Sequence, residues 1–138
     1  MTANANNLVE HIAYHGTEQV HIGNGMGLPI KRIGFPQFSS PFTSQLLSLN
    51  HLIHVPEITK NLLSVFKFVK YNNVFFGFHP NICLVKDHVF KIVVLKGRIK
   101  GGLYAFDSSQ IQLQKFVPSQ ASLSQSVFLL IWVFVVLV

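Results

Sequence analysis

The stretch Ser48–Phe68, SLNHLIHVPEITKNLLSVFKF, decides the fold, because an alternating apolar run meets a proline there and then changes period. Leu49, Leu52, Ile53 and Val55 suit a partly buried strand, whereas Leu62, Leu63, Phe66 and Val69 fall at the three-and-four spacing of a helix. Pro56 makes the switch: it cannot donate to a sheet ladder and drives Val55 towards extended geometry, so the strand ends there. Thr59 offers a side-chain oxygen to the free N–H groups behind it and is expected to cap a helix over roughly Lys60 to Tyr71.

Outward from this stretch the chain reads as short strands. Glu18 to Ile22 and Leu28 to Ile33 flank Gly23-Asn24-Gly25-Met26-Gly27, where Asn-Gly suits a tight hairpin. The glycine spacing resembles a phosphate loop, but Leu28-Pro29-Ile30 continues as an extended segment where such a loop requires a helix start, so the hairpin is preferred. Phe35 to Thr43 is punctuated by proline and serine and reads as a loop, and Leu46 to Val55 as a returning strand. After the helix, Asn72-Asn73 marks a turn. Val74 to Phe78 and Ile82 to Lys86 form a hairpin around His79-Pro80-Asn81, Val89 to Leu95 is strongly β-branched, and Leu103 to Phe106 follows a turn at Gly101-Gly102. Strands at intervals near ten residues predict an all-β fold, a small closed or nearly closed β-barrel with one short helix.

Composition narrows the class. At 138 residues the chain holds one core, and 49% apolar against 12% charged residues excludes a disordered chain. Eleven Lys and Arg against five Asp and Glu give a formal +6, enough to attract nucleic acid weakly. The cations are dispersed, densest at Lys31-Arg32 and from Lys86 to Lys100, so a solvated surface is the plainer reading. The single cysteine, Cys83, excludes an internal disulfide framework and reads as a small buried apolar residue. No secretory signal peptide is visible in MTANANNLVEH, and the cytoplasm is the expected location.

The C-terminal part differs in character. Residues 108–126 are rich in Gln and Ser and read as a linker, and Val127 to Val138, VFLLIWVFVVLV, is uninterrupted hydrocarbon. Those residues make only about 18 Å of helix, short of the roughly 20 residues a bilayer requires, so membrane contact by the tail is the weaker reading. The expected organisation is a barrel over residues 1–107, the linker, and a non-globular hydrophobic tail over 127–138.

The order of short motifs resembles the copia-type retrotransposon Gag-Pol polyprotein, in its retropepsin-like protease region before the pre-integrase domain. The matching residues are Met1-Thr2-Ala3-Asn4, Val20-His21-Ile22-Gly23-Asn24-Gly25, Leu28-Pro29-Ile30, Val55-Pro56, Asn61-Leu62-Leu63-Ser64-Val65, Cys83 and Gly102-Leu103-Tyr104, spanning roughly Met1 to Asp107. The resemblance implies a retropepsin-like barrel in which Leu62-Leu63-Ser64 packs beneath the active-site loops. In that family an Asp-Ser-Gly-Ala-Ser-His-His segment directly precedes the Met-Thr pair. Met1 to Asn7 without that loop is expected to be frayed, and the chain to be a truncated, non-catalytic fragment. The apolar tail departs from the family pattern, in which a polar zinc-binding region follows. Partners implied by this reading are a second copy or related retrotransposon polyproteins.

Aspartic-protease chemistry needs two carboxylates sharing a proton across a dimer axis, each on a glycine-containing turn at the subunit contact, and in the resembled family each subunit gives one aspartate. The one Asp-Ser pair, Asp107-Ser108, is followed by Ser109 where the turn demands glycine, so Asp107 reads as a strand-end or helix-cap residue. The seven histidines lack ligand spacing: His51 and His54 fall on opposite faces of a strand, and His11 and His15 share a face only on a helix. Ser64 has no acid–base motif around it. The sequence therefore predicts no catalytic, cofactor-binding or metal-binding residue and no cofactor.

Overall fold

The computed structural model describes residues 1–114 and the backbone of two later segments, Gln125–Ser126 and Leu129–Trp132. In chain order the strands before the helix are β1 (His11–Ala13), β2 (Gln19–His21), β3 (Gly27–Pro29), β4 (Arg32–Gly34), β5 (Gln37–Ser39), β6 (Leu46–Ser48), β7 (Leu52–His54) and β8 (Leu62–Ser64). The helix α1 (Val65–Asn72) follows. Then come β9 (Val74–Phe78), β10 (Ile82–Asp87), β11 (Val93–Lys100), β12 (Leu103–Phe106), β13 (Gln112–Leu113), β14 (Gln125–Ser126) and β15 (Leu129–Trp132). The fold is all-β with a single α-helix.

The strands do not close into the expected barrel. The main sheet has the order β8-β15-β12-β11-β10-β9, a second has the order β1-β4-β7, and β2-β3, β5-β6 and β13-β14 pair separately. Closure would require β8 and β9, the outer strands of the main sheet, to hydrogen-bond each other. Instead α1 carries the chain from one to the other and lays its apolar side on the core. Phe68 is buried and stacks with Phe38 at 6.3 Å and edge-on with Phe76 at 6.1 Å.

The helix begins later than its periodicity suggests. Leu62–Ser64 is extended, flanked by Met1 on one side and by the parallel strand β15 on the other, and Ser64 rather than Thr59 is the cap, its Oγ accepting from Lys67 N–H at 3.4 Å. Leu63 is buried at 6% exposure, Leu62 and Val65 are half-buried, and Phe66, which falls at the expected helical spacing, is 74% exposed. An apolar pair such as Leu62-Leu63 suits either period, and the ladder position between Met1 and β15 selects the strand. Asn73 ends α1 in the left-handed region at φ 50°.

Other segments differ for local reasons. The run from Leu46 to Val55 is two strands, broken at Asn50-His51 with His51 at φ 57°, and the supposed loop before it contains β5, paired with β6. The strand expected from Val89 starts at Val93, because Asp87 Oδ1 accepts from Val89 N–H at 2.8 Å and Phe90 N–H at 2.7 Å and bends the chain outward there. Gly101 and Gly102, both at positive φ, make the turn into β12 as expected.

The N-terminus is held, not frayed. Thr2 N–H donates to Ile53 O and Val55 N–H to Thr2 O, both at 2.9 Å, while Met1 N donates to Leu62 O at 2.6 Å and Leu62 N–H to Met1 O at 2.9 Å. Two residues thus stitch β7 of the smaller sheet to β8 of the main one.

The core also runs past Asp107. Ile111 and Leu113 are fully buried with Phe38, Leu47, Val55, Val85, Leu95 and Phe106, so the start of the expected linker belongs to the folded unit. Within the apolar tail, the backbone of Leu129–Trp132 lies antiparallel to β12 and parallel to β8 in the main sheet. The remainder of the linker and tail lies outside the described residues. Among the described residues no helix is long and apolar enough to cross a membrane.

Candidate functional site

A cleft of about 90 Å³ opens where β8 turns into α1, between Met1, the Ser48–Ile53 turn, Leu62–Ser64 and the side chains of Lys67, Phe68 and Tyr71. Its outer wall is fixed by Asn72, at the last turn of α1. Asn72 Oδ1 accepts from Ser48 N–H at 2.7 Å, and Nδ2 donates to Ser48 O at 2.9 Å and Phe68 O at 3.0 Å. One side-chain amide therefore replaces a strand partner for Ser48, and ties the turn to the helix.

Next to the lining residues Met1 and Leu62, the buried hydroxyl of Thr2 donates to Asn61 Oδ1 at 2.7 Å and accepts from Asn7 Nδ2 at 2.9 Å and Asn4 N–H at 3.2 Å. His54 adds a contact from Nε2 to Ala3 O at 3.2 Å. Burial, with Lys67 nearby, pushes the Met1 amine down to about 5, so at neutral pH it sits uncharged against Leu62 O. The described lining carries Lys67 and His51 but no carboxylate.

The residues weighed for chemistry are scattered. Asp107 lies at the N-cap position of a 3-10 turn (Ser108–Gln110) without capping it, and pairs with Arg98 at 3.2 Å in solvent. Ser64 is the helix cap. His51 lines the cleft with its ring edge-on to Phe35 at 5.1 Å, whereas His54 is buried one strand away with no hydrogen-bond partner on Nδ1. Burial, opposed by the Ala3 carbonyl and reinforced by Arg32 and His11, holds the His54 pKa below its ordinary value. His11 and His15 are exposed, and among the described residues no three His, Cys, Asp or Glu side chains gather as metal ligands. Cys83 is buried, its thiol pushed up to about 11 chiefly by desolvation, and is inert. Sequence reasoning missed Thr2, Asn7, Asn61 and Asn72 as structural clamps. Thr2, Asn7 and Asn72 stand in polar stretches that read as turn or terminus and Asn61 at the start of the expected helix, and only long-range pairing turns them into clamps.

No protein-family profile matches the chain, and no solved structure matches it. Two curated proteins do. The retrovirus-related Pol polyprotein from transposon RE2 of Arabidopsis thaliana is 34% identical over 122 residues, 88% of this chain, and that from transposon RE1 is 32% identical over the same length. The class is therefore that of the retrotransposon Pol polyproteins. Within it the chain belongs with the copia-type elements, and it spans 8% of the length of the curated relatives it matches.

Proposed function

We propose that this chain is the retropepsin-like region of a copia-type Pol polyprotein and that, as it stands, it is not a peptidase. The observation that carries the reading is where its five carboxylates lie. Glu10, Glu18 and Glu57 are exposed, Asp87 is committed to the turn after β10, and Asp107 pairs with Arg98. None lines the cleft among the described residues, and none is followed by the Ser-Gly turn on which each subunit of a dimeric aspartic protease would carry its one aspartate. The β8–α1 corner then has a packing role, with Leu63 buried beneath the cleft and Ser64 ending the strand. Purified protein should not cleave a peptide library at acidic or neutral pH and should not bind pepstatin. Pepstatin-sensitive cleavage abolished by Asp107→Asn would overturn the proposal.

A further inference from the structure

The exposed side of β10 and β11 carries a feature that the protease-like reading does not use. On β11, Lys96, Arg98 and Lys100 occupy alternate positions and are all exposed, so their side chains leave the same face about 7 Å apart. The register sets Lys96 opposite Leu84 and Arg98 opposite Ile82, which puts Lys86 of β10 on that face as a fourth cation. Phe75 stands opposite Lys86 on β9, half-buried, with Lys91 Nζ 5.1 Å from its ring centre.

The backbone under Lys96 is held on both of its polar groups. Where β12 stops pairing, Gln110 takes over: its Nε2 donates to Lys96 O at 2.8 Å and its Oε1 accepts from Lys96 N–H at 3.2 Å. Asp107 reaches Arg98 in an exposed pair of the kind that contributes little in water, and Asp87 is turned into its own loop.

The row Lys96, Arg98 and Lys100 has an interval that matches the repeat of phosphates along an extended single strand, and the ring of Phe75 near Lys86 offers a base a stacking surface. A duplex keeps its bases paired and stacked inside and would leave that ring unused, so an unpaired strand suits this face better. We propose that the β10–β11 face binds single-stranded nucleic acid, with Lys86, Lys96, Arg98 and Lys100 on phosphates and Phe75 beside a base.

The test is fluorescence anisotropy with a mixed-sequence single-stranded RNA of about 12 nucleotides, within the usual footprint of such surfaces. The full chain should bind with strong salt dependence. Replacing Lys96, Arg98 and Lys100 together by Gln should weaken binding at least tenfold and flatten the log–log salt slope by about 2, at ~0.7 for each phosphate no longer neutralised. Lys96→Gln alone should flatten it by about 0.7, which keeps the test valid if the triple variant folds poorly. A charge-matched control, Lys31→Gln, Lys60→Gln and Lys70→Gln, should bind nearly as the parent does. Equal loss in both triple variants would mean net charge alone is responsible and would overturn the proposal. So would equal affinity for a duplex of the same length, or binding to phosphatidylserine vesicles without binding to the oligonucleotide.

Discussion

Asn72 offers the sharpest test of how the cleft is built. Its amide satisfies both backbone groups of Ser48 and the Phe68 carbonyl, and the residue is only 9% exposed. Asn72→Ala leaves Ser48 N–H and C=O without partners. An unsatisfied buried group costs ~1–3 kcal/mol, and Ser48 is only half-buried, so water recovers part of this and a loss of ~2–4 kcal/mol is expected. Asn72→Asp is more discriminating, because it keeps the acceptor for Ser48 N–H while turning a carboxylate oxygen towards two carbonyls. Those carbonyls raise the folded-state pKa of the new carboxyl above its unfolded value of about 3.9. Stability relative to the parent is then fully present below the unfolded value and lost as pH rises through the folded one. Urea unfolding followed by far-UV circular dichroism at pH 7 and at pH 4 measures both effects. An Ala variant within ~0.5 kcal/mol of the parent, the ordinary surface range, or an Asp variant whose deficit does not shrink on acidification would refute the clamp.

Leu63→Ala should cost ~2–5 kcal/mol in the same assay, since the side chain is buried in the core; a cost under half a kcal/mol would remove β8 from the core. Removing everything after Gln114 takes away β15 and exposes the facing ladder groups of β8 and β12, so the truncated chain should unfold at lower urea and aggregate more readily. An unchanged melt would leave Leu129–Trp132 as an appendage. His54 has a lowered folded-state pKa, so the unfolded chain takes up its proton first, and stability should be intact above about pH 6.5 and fall as pH drops below it. The His54→Leu variant should lack that part of the pH slope, and matching slopes would show that His54 is not the group responsible.

Much of the fold was legible in the residues because it is local. The bounds of β9 and β12, the Gly101-Gly102 turn, the hairpin at Asn24-Gly25 and the all-β class followed from alternation and from glycine's access to positive φ. So did the family, since its motifs are contiguous phrases. The readings that changed depended on partners distant in sequence. Leu62-Leu63 scans as helix or strand alike, and became β8 because Met1 and Leu130–Trp132 flank it. Met1–Thr2 scans as a loose end, and is fixed by Ile53, Val55 and Asn61. Asn72 scans as a turn residue, and binds Ser48 across 24 positions. A polar or ambiguous residue carries no local record of which backbone group it will meet. The sequence by itself determined the all-β class, several of the extended segments and the family they come from. The tertiary structure decided which extended segments lie side by side, because each backbone N–H and C=O must find a partner and nothing in a residue's own neighbourhood says where.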